Sequence, residues 1–296
     1  MNDTIETWRG DSPLKKILGA LMAFLAVGMA NIALAAPTGT VDGVQLPAWL
    51  DRGGLTVPVS PSLQLQAGDT LRTGQGARLL LKLEEGSLVK LGENARFVIE
   101  KAQPAKGGVY EAALNVVNGA FRFTTETLSK STPRDVTITV GQNATIGVRG
   151  TDLWGRSHTD KDVVCLIEGK IEVTGNDRKV RTMDKPRQLF QSTRSAPPEP
   201  LTFLSTEQLN VLAAETEIES GKGASTIGGW KVVIDGFASR EAAREAARNL
   251  RVNGYPAEVM SDNSLNIAKM DTELSARQLA VRLKVGSGFK EVRIAQ

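Results

Sequence analysis

The sequence predicts a multi-domain protein: an all-β domain over residues 37–194, then a small α+β unit of βαββαβ order over residues 229–296. Three observations predict it. Short alternating runs with Gly, Asn or Asp between them fill residues 38–190, the segment "SAPPEP" breaks the pattern at Ser195–Pro200, and the last stretch repeats itself at a fixed offset of thirty-three residues. A chain of 296 residues is also long enough for two folded modules, each with its own core.

The N-terminus reads as a targeting segment. Lys15 and Lys16 precede the apolar run Ile17–Met29, and Ala33-Leu34-Ala35 has the small residues a signal peptidase accepts, so residues 1–36 are expected to be a signal peptide cleaved near Ala35 or Ala36. The alternative is an uncleaved anchor. Residues 17–36 reach across a bilayer at about 1.5 Å per residue, with the two lysines holding the N-terminus in the cytoplasm. Both readings place the folded mass in the periplasm.

Strands come next. "ARLLLKL", "SLVKLG", "RFVIEK", "FRFTTE", "VTITVG" and "KIEVTG" alternate with period two, and no amphipathic helix interrupts them, which predicts a sandwich, roll or barrel-like domain. Three prolines within Pro197–Pro200 forbid regular helix or central strand and mark a boundary. Within the connecting residues 195–228, "STEQLNVLAAETEIES" predicts a short helix with Leu209, Leu212 and Ala213 on one stripe, less regularly Ile218, and Ser205 or Thr206 as N-cap. "GKGASTIGG" then reads as a flexible linker.

The repeat is the firmest structural signal. Val232 meets Leu265, Ile234 meets Ile267, Ser239 meets Thr272, Ala243 meets Ala276, Leu250 meets Leu283 and Glu258-Val259 meets Glu291-Val292. Each half is strand, capped helix, strand. Ser239 and Thr272 are expected to cap the helices, Glu241 and Glu273 to sit in their first turns, and Gly254 with Gly286 or Gly288 to end them. Two such units in tandem make a ferredoxin-like sheet with both helices on one side and the other face open. Its first and third strands are the expected central pair. Val232, Ile234, Leu265 and Ile267 should face the helices; Lys231, Val233, Asp235, Ser264, Asn266 and Ala268 should face away, as should Phe237 and Met270 unless a bulge at Gly236 re-aims the phenylalanine.

Composition excludes several classes of function. A hydrophobic share of 41% and a charged share of 23% are those of a globular protein, not a disordered one. The single cysteine, Cys165, alternates with Val163 and Ile167 as a buried strand residue does, and the single histidine, His158, lies in a polar turn. Zinc sites and Cys–His nucleophilic chemistry therefore have almost no raw material, and no metal or cofactor is expected. A net charge of +3 is too small to argue for nucleic acid. RNA-binding sheets of this topology need aromatics on the central strands, where only Phe237 is on offer.

Two resemblances sharpen the reading. "WKVVIDGFASREAAREAARNLRVNGYPAEV" and its second copy resemble the SPOR domain, the sporulation-related repeat that binds peptidoglycan, with Trp230 as the opening aromatic and Ala243, Ala247, Leu250 and Gly254 in the helix. Val233, Asp235 and Gly236 depart from the glutamine, glycine and serine common in that family, on the face that would hold the glycan. "LRTGQGARLLLKLEEGSLVKLGENARFVIE", "NATIGVRGTDLWGR" and "VCLIEGKIEV" resemble the FecR domain over about Leu63 to Val173, with Arg149-Gly150-Thr151 the most specific piece. Sigma-factor control is not carried over, because only sixteen residues precede the apolar run.

These resemblances imply a non-enzymatic envelope protein. Its C-terminal module would bind peptidoglycan glycan strands, especially strands lacking stem peptides, through Lys231, Asp235, Phe237 and Asn266 on the sheet face and Arg293 at its edge. The FecR-like domain would engage an envelope protein partner. The alternative is a periplasmic protein–protein scaffold whose altered sheet face has lost the glycan. No catalytic constellation is visible: Glu84 and Glu85 point to opposite faces of a strand, "TGQGARL" lacks a third glycine, and Trp154 reads as a packed residue rather than a sugar platform.

Overall fold

Fifteen strands in the computed structural model, which describes residues 36–125 and 133–296, wind into a continuous roll ahead of the first helix. The expected leader, residues 1–36, lies outside the described residues except for Ala36. Residues 37–296 make one compact unit, and no helix among the described residues is long and apolar enough to cross a membrane.

The roll is built on three long strands, β9 (Tyr110–Thr124), β11 (Ala144–Ser157) and β12 (Lys161–Gly175). The first half of β9 pairs with β8 (Arg96–Pro104) and, in parallel, with β10 (Arg134–Val140); its second half pairs with β7 (Leu88–Leu91) and β11. Gly119 sits where the partners change. It has φ 90°, and a Cβ there would lie 2.5 Å from the Ala95 Cα, so only glycine lets the strand bend across that neighbour. Gly150 and Gly169 do the same for β11 and β12: a Cβ on Gly169 would lie 2.6 Å from the Gly150 carbonyl. The Arg-Gly-Thr stretch singled out in the sequence thus marks a bend.

Alternation sorts the side chains. In β6 (Arg78–Leu83) the residues Leu79, Leu81 and Leu83 are buried while Lys82 is exposed, and Phe97, Phe121 and Phe123 fill the centre of the roll. Fully burying one such side chain stabilises by about 1.5–3 kcal/mol. At one end Asp69, fully buried, accepts two bonds from the Arg52 guanidinium at 2.7 and 2.6 Å and one from the Gln66 amide.

The connector between the modules is docked rather than free. Its helix α1 (Thr206–Ala214) is capped by Ser205, whose hydroxyl accepts from the Gln208 amide while the Gln208 side chain accepts from the Ser205 amide. The glycine-rich piece read as a flexible linker contributes β16 (Ala224–Ser225), which pairs with Gly43 and Val44 of β1 (Gly39–Gln45). Composition gives glycine-rich chain its freedom, but strand pairing with β1 removes it.

A second, four-stranded antiparallel sheet ends the chain, in the order β18 (Glu258–Val259), β19 (Leu265–Met270), β17 (Trp230–Ile234), β20 (Val292–Ala295). Helices α2 (Arg240–Val252) and α3 (Glu273–Ser287) bury Ala243, Ala247, Leu250, Ala276, Leu279 and Leu283 against Val232, Ile234, Leu265 and Ile267. Ser239 accepts from the Ala242 amide and Thr272 from the Ser275 amide, as expected of N-caps. Gly254 and Gly288 take left-handed conformations past the helix ends, at φ 81° and 71°.

Candidate functional site

The outer face of the small sheet is read off its register. Glu258 lies opposite Asn266, Asn266 opposite Val233, and Val233 opposite Arg293, so one row crosses all four strands away from the helices. The row is polar at its ends and apolar only at Val233, which is 7% exposed.

One half of the row is closed by charge. The Arg293 guanidinium donates to Asp235 at 2.6 Å, and its own pKa is held above the usual range first by that hydrogen bond. Asp262 adds to the same field. Asp235 and Arg293 thus satisfy each other at the edge of the face.

The other half opens into a cleft of about 280 Å³. Glu258 and Asn266 through Lys269 form one wall, and the loop Ser60–Ser62 of the β-roll forms the other, with Ser225 and Thr226 between them. The roll fixes that loop: the Ser62 amide donates to the Val41 carbonyl at 2.8 Å, and Ser62 holds φ 67°. The sequence suggested a sheet face left open; here the larger module stands across part of it. The Asn266 Oδ1 atom is shielded from solvent and has no hydrogen-bond partner. A shielded acceptor left unpaired costs about 1–3 kcal/mol, so the carboxamide gains from any turn that brings this oxygen to a donor.

Five residues were candidates, and the structure brings only some of them together. Asn266 lines the cleft, Lys231 is half-buried on the same face opposite Lys269 and Ala295, and Asp235 and Arg293 form their pair. Phe237 does not join them. It packs onto the hydrophobic core with Phe289, ring centroids 6.3 Å apart and planes at 70°. Met270, expected to face outward, is 3% exposed and lies in the core. The cause is a bulge: the register between β17 and β19 slips by one residue between Lys231 and Val233, so Met270 comes opposite Trp230 and turns to the helix side.

Sequence reasoning missed the whole second wall. Ser60, Pro61 and Ser62 lie about two hundred residues from Asn266, and nothing local in "VSPSL" points to the sheet it meets. The cleft can do little chemistry of its own. Glu258 is the only carboxylate among its described lining residues, so the two convergent carboxyl groups of a glycoside hydrolase are absent there. No group of three His, Cys, Asp or Glu side chains among the described residues is arranged to hold a metal. What the cleft offers is hydrogen bonding: hydroxyls from Ser60, Ser62, Ser225 and Thr226, the Asn266 amide, and one charge of each sign from Glu258 and Lys269.

Comparison with known proteins assigns part of the roll. Residues 69–172 match the family described as FecR protein, running from the buried Asp69 to Glu172 on β12. No SPOR domain is detected in the C-terminal repeat. No curated protein matches the chain. Among solved structures, two crystal structures of a protein from Parabacteroides distasonis ATCC 8503, provisionally described as an anti-sigma factor, are similar in part. They align at TM-score 0.40 with 11% and 12% identity, over 77% and 76% of this chain and 98% and 96% of theirs.

Proposed function

Starting from a FecR domain over residues 69–172, we propose that the chain is a non-enzymatic periplasmic protein that binds peptidoglycan glycan strands through its C-terminal module. The observation that carries this reading is the hydroxyl-lined cleft with the unpartnered Asn266 carboxamide oxygen. Sugars are recognised by many directed hydrogen bonds from neutral groups, and the cleft supplies four hydroxyls and an amide. Its volume is near the small end of ligand sites, about 300–1,000 Å³, which suits one ring of a chain that continues along the open face. The strand order with β17 and β19 central supports the ferredoxin-like, SPOR-like reading of the module. In this reading the FecR domain serves an envelope protein partner.

A second reading, a protein–protein scaffold, rests on different residues. Asp235 and Arg293 satisfy each other and Phe237 is spent on packing, which removes three of five candidates from free surface. Sedimentation of the full chain with purified sacculi, before and after enzymatic removal of the stem peptides, separates the two. Glycan binding predicts co-sedimentation that rises on the stripped sacculi and falls about tenfold for Asn266→Leu, one lost hydrogen bond with an apolar block being worth about 1.4 kcal/mol. Equal sedimentation of the wild type and an unrelated periplasmic protein would sink the glycan reading.

A further inference from the structure

A second site lies on the outer surface of the roll, and the chain itself covers it. Register places Lys90 of β7, Arg122 of β9, Trp154 of β11, Cys165 of β12 and Leu189 of β14 (Gln188–Thr193) side by side in one row across five neighbouring strands. The row is cationic at one end and apolar at the other. Trp154, Cys165 and Leu189 form, with Ala120, a hydrophobic cluster separate from the main core. The residues that cover them come from the connector: Leu204, Leu209 and Leu212 over the apolar end, and Glu217 over the cationic end. The Glu217 carboxylate accepts from Lys90 at 2.7 and 2.6 Å and from Arg122 at 3.0 Å, and Glu215 pairs with Arg156 beside the row.

This cover is weakly held. None of the nine residues of α1 is buried, and an isolated helix of that length is marginal in water. The ion pairs are partly exposed, 43% at Glu217 and 37% at Arg156, where each contributes about 0–1 kcal/mol. The surface underneath is better suited to a ligand than its cover is. Trp154 is 2% exposed with its indole N–H unpartnered, so a hydrogen-bond donor there is left unsatisfied.

We propose that this row is a docking groove for an acidic amphipathic helix of a partner protein, and that residues 204–217 are its resident competitor. The occupant follows from the complementarity on show: leucines three residues apart over the indole and Leu189, then two glutamates two residues apart over Arg156, Arg122 and Lys90. A partner helix longer than α1, with an acceptor for Trp154, would displace it. The resident segment lowers the partner's apparent affinity by the fraction of time the groove is closed.

Fluorescence anisotropy with a labelled peptide of residues 203–220 tests the groove on the full chain. Two loosened variants are used, Leu209→Ser/Leu212→Ser and Glu215→Gln/Glu217→Gln, each checked for native circular dichroism. Expected is peptide binding at least about tenfold tighter than to the wild type, with alkylation of Cys165 accelerated by the loosening and slowed again by the peptide. Adding Lys90→Glu should remove most of the gain, Lys90→Arg should keep it, and a peptide with glutamines for its last three glutamates should bind weakly. The proposal is overturned if both folded variants ignore the peptide, or bind the glutamine peptide equally well. Dimerisation of the loosened variants without peptide binding would instead assign the groove to exchange between two copies.

Discussion

The indole N–H of Trp49, on β2 (Ala48–Arg52), donates to the carbonyl of Val252 at the end of α2, 2.9 Å away across two hundred residues of sequence. The same segment accepts a second bond from the roll, the Ala48 amide donating to the Gly254 carbonyl at 3.3 Å. Trp49→Phe keeps an aromatic ring on the site and deletes the donor together with the five-membered ring that carries it. Helix α2 then keeps its packing but loses one tie to the roll, at a cost of about 0.5–1.5 kcal/mol. Gly254→Ala should cost more, about 1–3 kcal/mol, because its φ is 81° and the new Cβ would meet Trp49 and Pro47 at 2.8 and 2.9 Å. Urea midpoints of the two variants against the wild type give the order directly.

Much of the C-terminal module was legible because its signals are local. A thirty-three-residue offset aligns Ser239 with Thr272, and each caps its helix within three residues of itself. The ties of that module to the roll were not legible, since Trp49 and Val252 or Arg282 and Leu46 meet only after both modules have folded. The candidate site was half legible for the same reason. Period two put Asn266 on the outer face, but the bulge in β19 that buries Met270 and the loop that walls the cleft depend on neighbours the strand cannot encode.

The pair Arg52–Asp69 predicts an asymmetry. Asp69 is fully buried while Arg52 keeps 36% of its side-chain surface in water. Asp69→Asn frees an arginine that can rehydrate, for about 1 kcal/mol. Arg52→Met leaves a buried carboxylate with the Gln66 amide as its remaining donor, for about 3 kcal/mol. Equal losses in chemical denaturation would show that the carboxylate reaches water by another route.

Cys165 is predicted to be inert in the native protein. Burial pushes its thiol up to about 12, so almost none is thiolate at neutral pH, and its sulfur lies beneath the α1 cover. Reaction with a neutral alkylating reagent should therefore be slow in the native wild type, paced by opening of the α1 cover, and fast in denaturant. Rapid stoichiometric labelling of the native wild type would contradict both the burial and the closed cover.

Acid stability should depend on Asp177. Its carboxylate accepts from the Arg181 guanidinium at 3.0 and 2.7 Å and from the Lys179 amide at 3.1 Å, and the arginine bond first of all draws its pKa from 3.8 down to about 2. A carboxylate with a lowered folded pKa binds its proton more readily in the unfolded chain. Its contribution is thus fully present above pH 3.8 and is lost as the pH falls toward 2. Asp177→Asn removes that titration, so the variant should lose stability less steeply than the wild type across this window while the neutral range keeps its slope. The acid limb will not vanish, because Asp51 beside Arg72 is shifted in the same direction. Urea midpoints measured from pH 5 to pH 2 for both proteins test this; parallel acid limbs would mean that the Asp177–Arg181 pair survives in the unfolded chain.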